Sequence, residues 1–226
     1  MSATTLALVA AGIAGLGTMY IKDSRREKSR RSTAFDSCRG HFEKERHSLE
    51  ASGYPSLRGY YRGTQVDLRL VVDTIQLRKL PVLWLMVTIH RPVAIKGVVD
   101  IMTRATNSEI FSPHNGLAYS VPLPVGWPSE INIRADDRRI AGSVLERVET
   151  LLLAFAADNR GKEMLITPRG VRLVYRLCES DRGHYLLTRL PKFEGDTVSF
   201  DTVEPLIKQA ITVAECLKGV GDDPAQ

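Results

Sequence analysis

The first charged side chain in the chain is Lys22, and between Met1 and it the apolar residues Leu6, Leu8, Val9, Ile13, Leu16, Met19 and Ile21 stand only among alanine, glycine, threonine, serine and tyrosine. Such a run predicts a helix. Over residues 3–21 it would rise about 28 Å, close to the roughly 30 Å hydrocarbon core of a bilayer. Residues 1–21 are therefore expected to form a single transmembrane anchor. After residue 31 the pattern changes. Ser32 and Thr33 can cap a helix over 34–51 that places Phe35, Cys38, Phe42 and Leu49 on one face and stops at Gly53 and Pro55. A period of two then takes over: Val66, Leu68, Leu70 and Val72 alternate with more polar neighbours, and with 57–61 they read as a hairpin about Arg62-Gly63-Thr64.

Residues 82–89 are almost wholly apolar and predict the central strand, with 98–102 beside it. Pro113, Pro122, Pro124 and Pro128 make 112–128 a long loop. Strand signals resume at 131–134. Ser143 would cap a helix over 144–157, and 164–166 with 171–177 form a hairpin about Pro168-Arg169-Gly170. A further turn at Asp181-Arg182-Gly183 would lead into a strand at 185–190, and a helix over 202–217 would end at Gly219 and Gly221. The expected fold class is α+β: a transmembrane helix, then a mainly antiparallel sheet built from hairpins, with two or three covering helices. The expected divisions are an anchor (1–21), a basic juxtamembrane segment with its connecting helix (22–52), a cytoplasmic domain (53–218, with a subdomain split near 129) and a tail (219–226).

Charge sharpens this picture. The chain is +5 overall, yet Lys22, Arg25, Arg26, Lys28, Arg30 and Arg31 stand against only Asp23 and Glu27. The remainder is nearly neutral, which argues against a nucleic-acid-binding face. Basic residues directly after an apolar run, with none before it, are the reverse of a cleaved signal peptide and orient a span with its N terminus outside. Those six cations are the expected contact with anionic lipid. Ala7, Ala11 and Gly15 recur at four-residue spacing and would let a second helix approach closely, in a homo-oligomer or with a membrane-protein partner.

Leu6 to Gly17 also resembles the strand and glycine-rich turn of flavin- and NAD-binding Rossmann proteins, which would imply a dinucleotide cofactor. Ala10 occupies the place of the first glycine, and no second strand ending in an acidic residue follows at the proper distance. No cofactor is therefore expected. The five histidines lie at no metal-ligand spacing, and Cys38, Cys178 and Cys216 form no CxxC pair, so reduced thiols and no metal are expected. No glycine loop for phosphates and no nucleophile elbow is present.

Three places remain as candidate partner or anion contacts. His114 lies in the loop and is expected to be a solvent-exposed turn residue. Trp127 lies between Gly126 and Pro128. Arg62, Arg169 and Arg182 would form an anion-binding edge if their hairpin tips cluster. The expected function is a membrane-anchored interaction or scaffold domain facing the cytoplasm, an accessory subunit or assembly factor of a membrane complex. The alternatives are an enzyme with a pocket beside loop 112–128 and a sensor of anionic lipid surfaces. The layout is similar to that of many bacterial membrane-associated proteins, which would place it in an inner membrane.

Overall fold

A computed structural model describes residues 3–74, 80–104 and 111–218, with the side chains of 3–11, 16, 23 and 24 outside the description. The architecture is α+β. Helix α1 (Ala3–Ser32) leads into a sheet of strands β1 (Glu43–Leu49), β2 (Pro55–Tyr61), β3 (Thr64–Asp73), β4 (Val82–His90), β5 (Val99–Met102), β6 (Tyr119–Val121), β7 (Asn132–Ala135), β8 (Gly161–Thr167) and β9 (Gly170–Glu179). Helices α2 (Arg138–Ala157), α3 (Arg182–Thr188) and α4 (Phe200–Cys216) complete the described elements. The sheet runs β1-β2-β3-β4-β9-β8-β5-β7-β6, and every pairing is antiparallel. Strands before and after residue 129 interleave in it, since β5 pairs with β7 and β8.

The unbroken hydrophobicity of β4 follows from burial on both faces. Leu83, Leu85, Val87 and Ile89 point into the main core, where α4 lies over β4 and β9 and α2 lies over β5 to β8. Val82, Trp84 and Met86 point the other way and pack with Val174 beneath Phe111. The expected hairpins at β2–β3 and β8–β9 form as read. Arg62 and Gly63 both take positive φ, the backbone twist that a two-residue hairpin turn needs.

Four expectations change. The predicted helix over 34–51 is a short 3-10 turn (Asp36–Cys38) followed by edge strand β1. Phe35, Cys38 and Phe42 are buried as expected, but Gly40 turns the chain at φ +80° and Leu49 faces solvent. Charged Glu43, Lys44, Glu45 and Arg46 suit an edge that must not pair with another chain. The predicted strand over 185–190 is α3, because Asp181 accepts from the His184 amide and caps a helical turn. Strand β5 pairs away from β4. Helix α2 starts earlier, capped by Asp137, while the Ser143 hydroxyl donates to the Ile140 carbonyl.

The anchor expectation is also corrected. Among the described residues no helix is long and apolar enough to cross a membrane. Residues 3–21 and the basic segment after them belong to one helix, α1. Residues 219–226 lie outside the described residues.

Gly170 illustrates how tightly the centre is set. A Cβ there would fall 1.9 Å from the Ile89 carbonyl oxygen across the β4–β9 pair. Gly170→Ala is expected to cost about 3 kcal/mol or more, read as a lower urea midpoint at unchanged m-value. An unchanged midpoint would show that β9 does not sit against β4 in this register.

Candidate functional site

One end of the sheet collects the start of β2, the end of β3, the start of β4 and the end of β9. The β1–β2 turn and the segment after β9 lie at the same end, and α1 joins the domain there. The joint centres on Asp196, a buried carboxylate 4 % exposed. Arg30 Nη1 donates to its Oδ1, and Tyr54 donates its hydroxyl to Oδ2 at 2.8 Å. Glu27, one turn earlier on α1, accepts from Arg30 at 2.7 Å and from Arg31 at 3.1 Å. Those bonds, Arg30's first, hold the Glu27 carboxyl below its ordinary range against the opposing effect of partial burial. Burial and then Asp196 push the Tyr54 hydroxyl above its ordinary value, so it stays a proton donor. Arg31 lies 5.3 Å over the Tyr54 ring and donates to the Ser52 and Pro191 carbonyls.

The basic segment thus divides in two. Arg30 and Arg31 turn inward and fasten the helix, whereas Lys22, Arg25, Arg26 and Lys28 are exposed. Further along α1, Ile13, Met19, Tyr20 and Ile21 are exposed as well. Gly12, Gly15 and Gly17 have no atom within 4 Å of the place a Cβ would take. Gly15 therefore lies on an open helix surface, while the side chains of Ala7 and Ala11 lie outside the described residues.

The three hairpin-tip arginines do not converge. Arg62 and Arg169 stand at the opposite end of the sheet, where β2 meets β3 and β8 meets β9. Arg182 opens α3 at the α1 end, the length of β9 away. Trp127 donates its indole N–H to Glu149 at 2.9 Å, which folds the Pro-rich loop onto α2.

His114 is buried, contrary to the exposed turn expected of it. Its Nδ1 lies 3.1 Å from Asp100 Oδ2 and its Nε2 lies 3.2 Å from Asn132 Oδ1. Ser112 donates to the same Asp100 oxygen at 2.8 Å. Beside this group Glu163 takes a paired contact from Arg172 at 3.0 and 3.1 Å. Burial foremost, then the Asp100 charge, push Glu163 up to about 7 although Arg172 opposes the shift. Ser112 is bonded to the carboxylate and not to the imidazole, so no hydroxyl is activated as a nucleophile here. Asp100 Oδ1 and Arg134 Nε are buried without a partner on neighbouring strands. The arrangement clamps the Pro-rich loop onto the reverse face of the sheet, with His114, Asp100 and Glu163 buried and Asn132 exposed at its edge.

A groove of about 350 Å³ at the α1 end is lined by Trp84, Arg104, Arg160, Lys162, Arg176 and Glu179 among others. Its cations already serve the fold. Arg104 donates to the carbonyls that end α2, Arg160 to those of Arg176 and Leu177, and Arg176 pairs with Glu179. Among the described residues no group of His, Cys, Asp and Glu could hold a metal ion. Compared with protein-family models, curated proteins and solved structures, the chain matches none.

The sequence reading missed Glu27, Tyr54 and Asp196, which lie far apart along the chain, and it missed Asp100, Glu163 and Arg172 because each looks like an ordinary strand polar residue. It also passed over Leu186, Leu187 and Leu190, whose spacing behind the Asp181 cap is that of one side of a helical turn.

Two outcomes are expected. Asp196→Ala leaves Arg30 and the Tyr54 hydroxyl without their acceptor. The domain should lose about 2 kcal/mol, less than a fully buried ion pair because Arg30 is partly exposed. Trypsin should then cut sooner after Arg30 and Arg31; unchanged digestion would show that the joint does not hold. For Glu163 the folded value of about 7 exceeds the ordinary 4.5. The native state therefore binds the extra proton, and stability should fall as pH rises from 4.5 to about 7. Glu163→Gln should flatten that fall in urea titrations; an equal slope in both proteins would remove Glu163 as its source.

Proposed function

We propose that the chain is an interaction or scaffold domain seated at a membrane by the first part of α1. The first part of α1 packs against a partner helix at the membrane, and the domain lies on the cytoplasmic side as an accessory subunit or assembly factor of a membrane complex. The observation that carries this reading is that α1 exposes Ile13, Met19, Tyr20 and Ile21 while its other end is fastened to the domain through Arg30 and Arg31. Leaving such side chains in water forfeits about 1.5–3 kcal/mol each relative to burial, which favours an apolar medium around them. The exposed cations Lys22, Arg25, Arg26 and Lys28 follow at the depth where lipid headgroups would begin.

The modest hydrophobicity of α1 shapes the proposal. A helix rich in alanine and glycine holds weakly in lipid by itself, and the open surface at Gly12 and Gly15 offers close packing to a partner helix. A membrane-protein partner, or a second copy, would complete the anchor. At the His114–Asp100 cluster the buried carboxylate and imidazole are already bonded to Ser112 and Asn132, which supports a structural use of that place over the enzyme alternative.

Membrane fractionation of the full chain tests the reading. The protein should remain in the pellet through carbonate and high-salt washes and should bring a membrane protein with it in mild detergent. Release by carbonate would overturn the anchor, and retention without any membrane-protein partner would overturn the accessory-subunit assignment.

A further inference from the structure

Between β9 and Phe193 the chain leaves the sheet for one excursion and returns to nearly the same point. Ser180 bridges to Phe193, the Ser180 hydroxyl donates to the Lys192 carbonyl and accepts from the Lys192 amide, and the Asp181 amide donates to the same carbonyl. Phe193 is buried and anchors the return. The stapled excursion is α3 and its exit, and it faces its apolar residues outward: Leu186 is 56 % exposed, Leu187 87 % and Leu190 57 %. A fold that fixes both ends of a segment and then points three leucines into solvent has placed them for something other than its own core.

Position and charge say what covers them. The excursion lies at the α1 end of the sheet, and the Pro191 carbonyl within it accepts from Arg31, so the leucines stand beside the point where α1 leaves the domain. Exposed Arg182, Arg189 and Lys192 flank them. Of the nearby acids, Glu179 pairs with Arg176 and Asp196 is buried in the joint, which leaves exposed Asp181 and Glu194 against the three cations. Apolar side chains ringed by cations, next to a helix that carries four more exposed cations, match a lipid surface with anionic headgroups.

We propose that α3 is a second membrane contact, which lowers Leu186, Leu187 and Leu190 into the headgroup region of an anionic bilayer and sets the domain against the surface from which α1 emerges. This rests on the reading of α1 as the anchor. It adds that the domain does not hang on a tether but lies with one defined end on the lipid.

The test uses the full chain with a Cys216→Ser background and one added cysteine, Leu187→Cys on α3 or Arg169→Cys at the far end of the sheet, carrying an environment-sensitive fluorophore. Cys38 and Cys178 stay largely unlabelled because burial pushes their thiols up to about 12 and about 11. Each protein is reconstituted into phosphatidylcholine vesicles with and without phosphatidylserine, with bromine on the acyl chains as quencher. The label at 187 should shift to the blue and lose more than half its emission in the phosphatidylserine vesicles, and high salt should weaken this, while the label at 169 stays unquenched. Vesicle-bound protein whose label at 187 is as wet as that at 169 would overturn the α3 contact and leave the anchor standing. Protein that fails to float with either vesicle would overturn the anchor and with it this inference. A blue shift at 187 that grows with protein concentration before vesicles are added would assign the leucines to a second copy and overturn the lipid contact.

Discussion

Taking the Asp196 carboxylate out of water costs several kcal/mol unless cations and donors replace its hydration, and the only groups placed to do so are Arg30 on α1 and Tyr54 in the β1–β2 turn among the contacts described. The domain can therefore close over Asp196 only when the end of α1 is docked beside it. That single requirement joins three stretches of chain: the last turn of α1, the 50–54 turn and the segment that returns from α3. Arg31 then ties the same three together a second time through Tyr54, Ser52 and Pro191. The direction in which α1 leaves, and the end of the sheet it leaves from, follow from this joint.

The sheet has two faces with different tasks. One takes α2 and α4 and holds the main core. The other is polar where Arg58 and His90 meet Asp67, and towards its far edge it carries the Pro-rich loop, held by Ser112 and His114 on Asp100. Buried charges of this kind add less to net stability than hydrophobic packing of equal volume, but they admit only one arrangement of partners. Here they fix a loop that is otherwise rich in proline and glycine and would have little reason to lie in one place.

Much of the fold was legible because it repeats with a fixed period. Val66 to Val72, the run from Val82 to Ile89 and the apolar stripe of α4 each carry enough positions to distinguish strand from helix. The segment Glu43–Leu49 was not legible, because an edge strand paired on one side can be polar at every position, and helical spacing between Phe35, Cys38 and Phe42 then misleads. Residues 185–190 were misread for a different reason: a glycine after Asp181 looks like a hairpin turn until the side chain is seen to cap His184. The joint could not be read at all. Tyr54 and Asp196 lie 142 positions apart and Arg30 and Asp196 lie 166 apart, so only the folded chain brings them together.

Helix α1 is fixed to the domain through Arg30 and Arg31 and does not swing from it. Electron-resonance distance measurement between spin labels at Gly12 on α1 and Arg62 at the far end of the sheet addresses it directly, with the protein in vesicles and its own cysteines replaced. A single narrow distance distribution is expected, broadening when Asp196 becomes alanine. A broad distribution in the parent protein, unchanged by that substitution, would show instead that α1 is a loose tether.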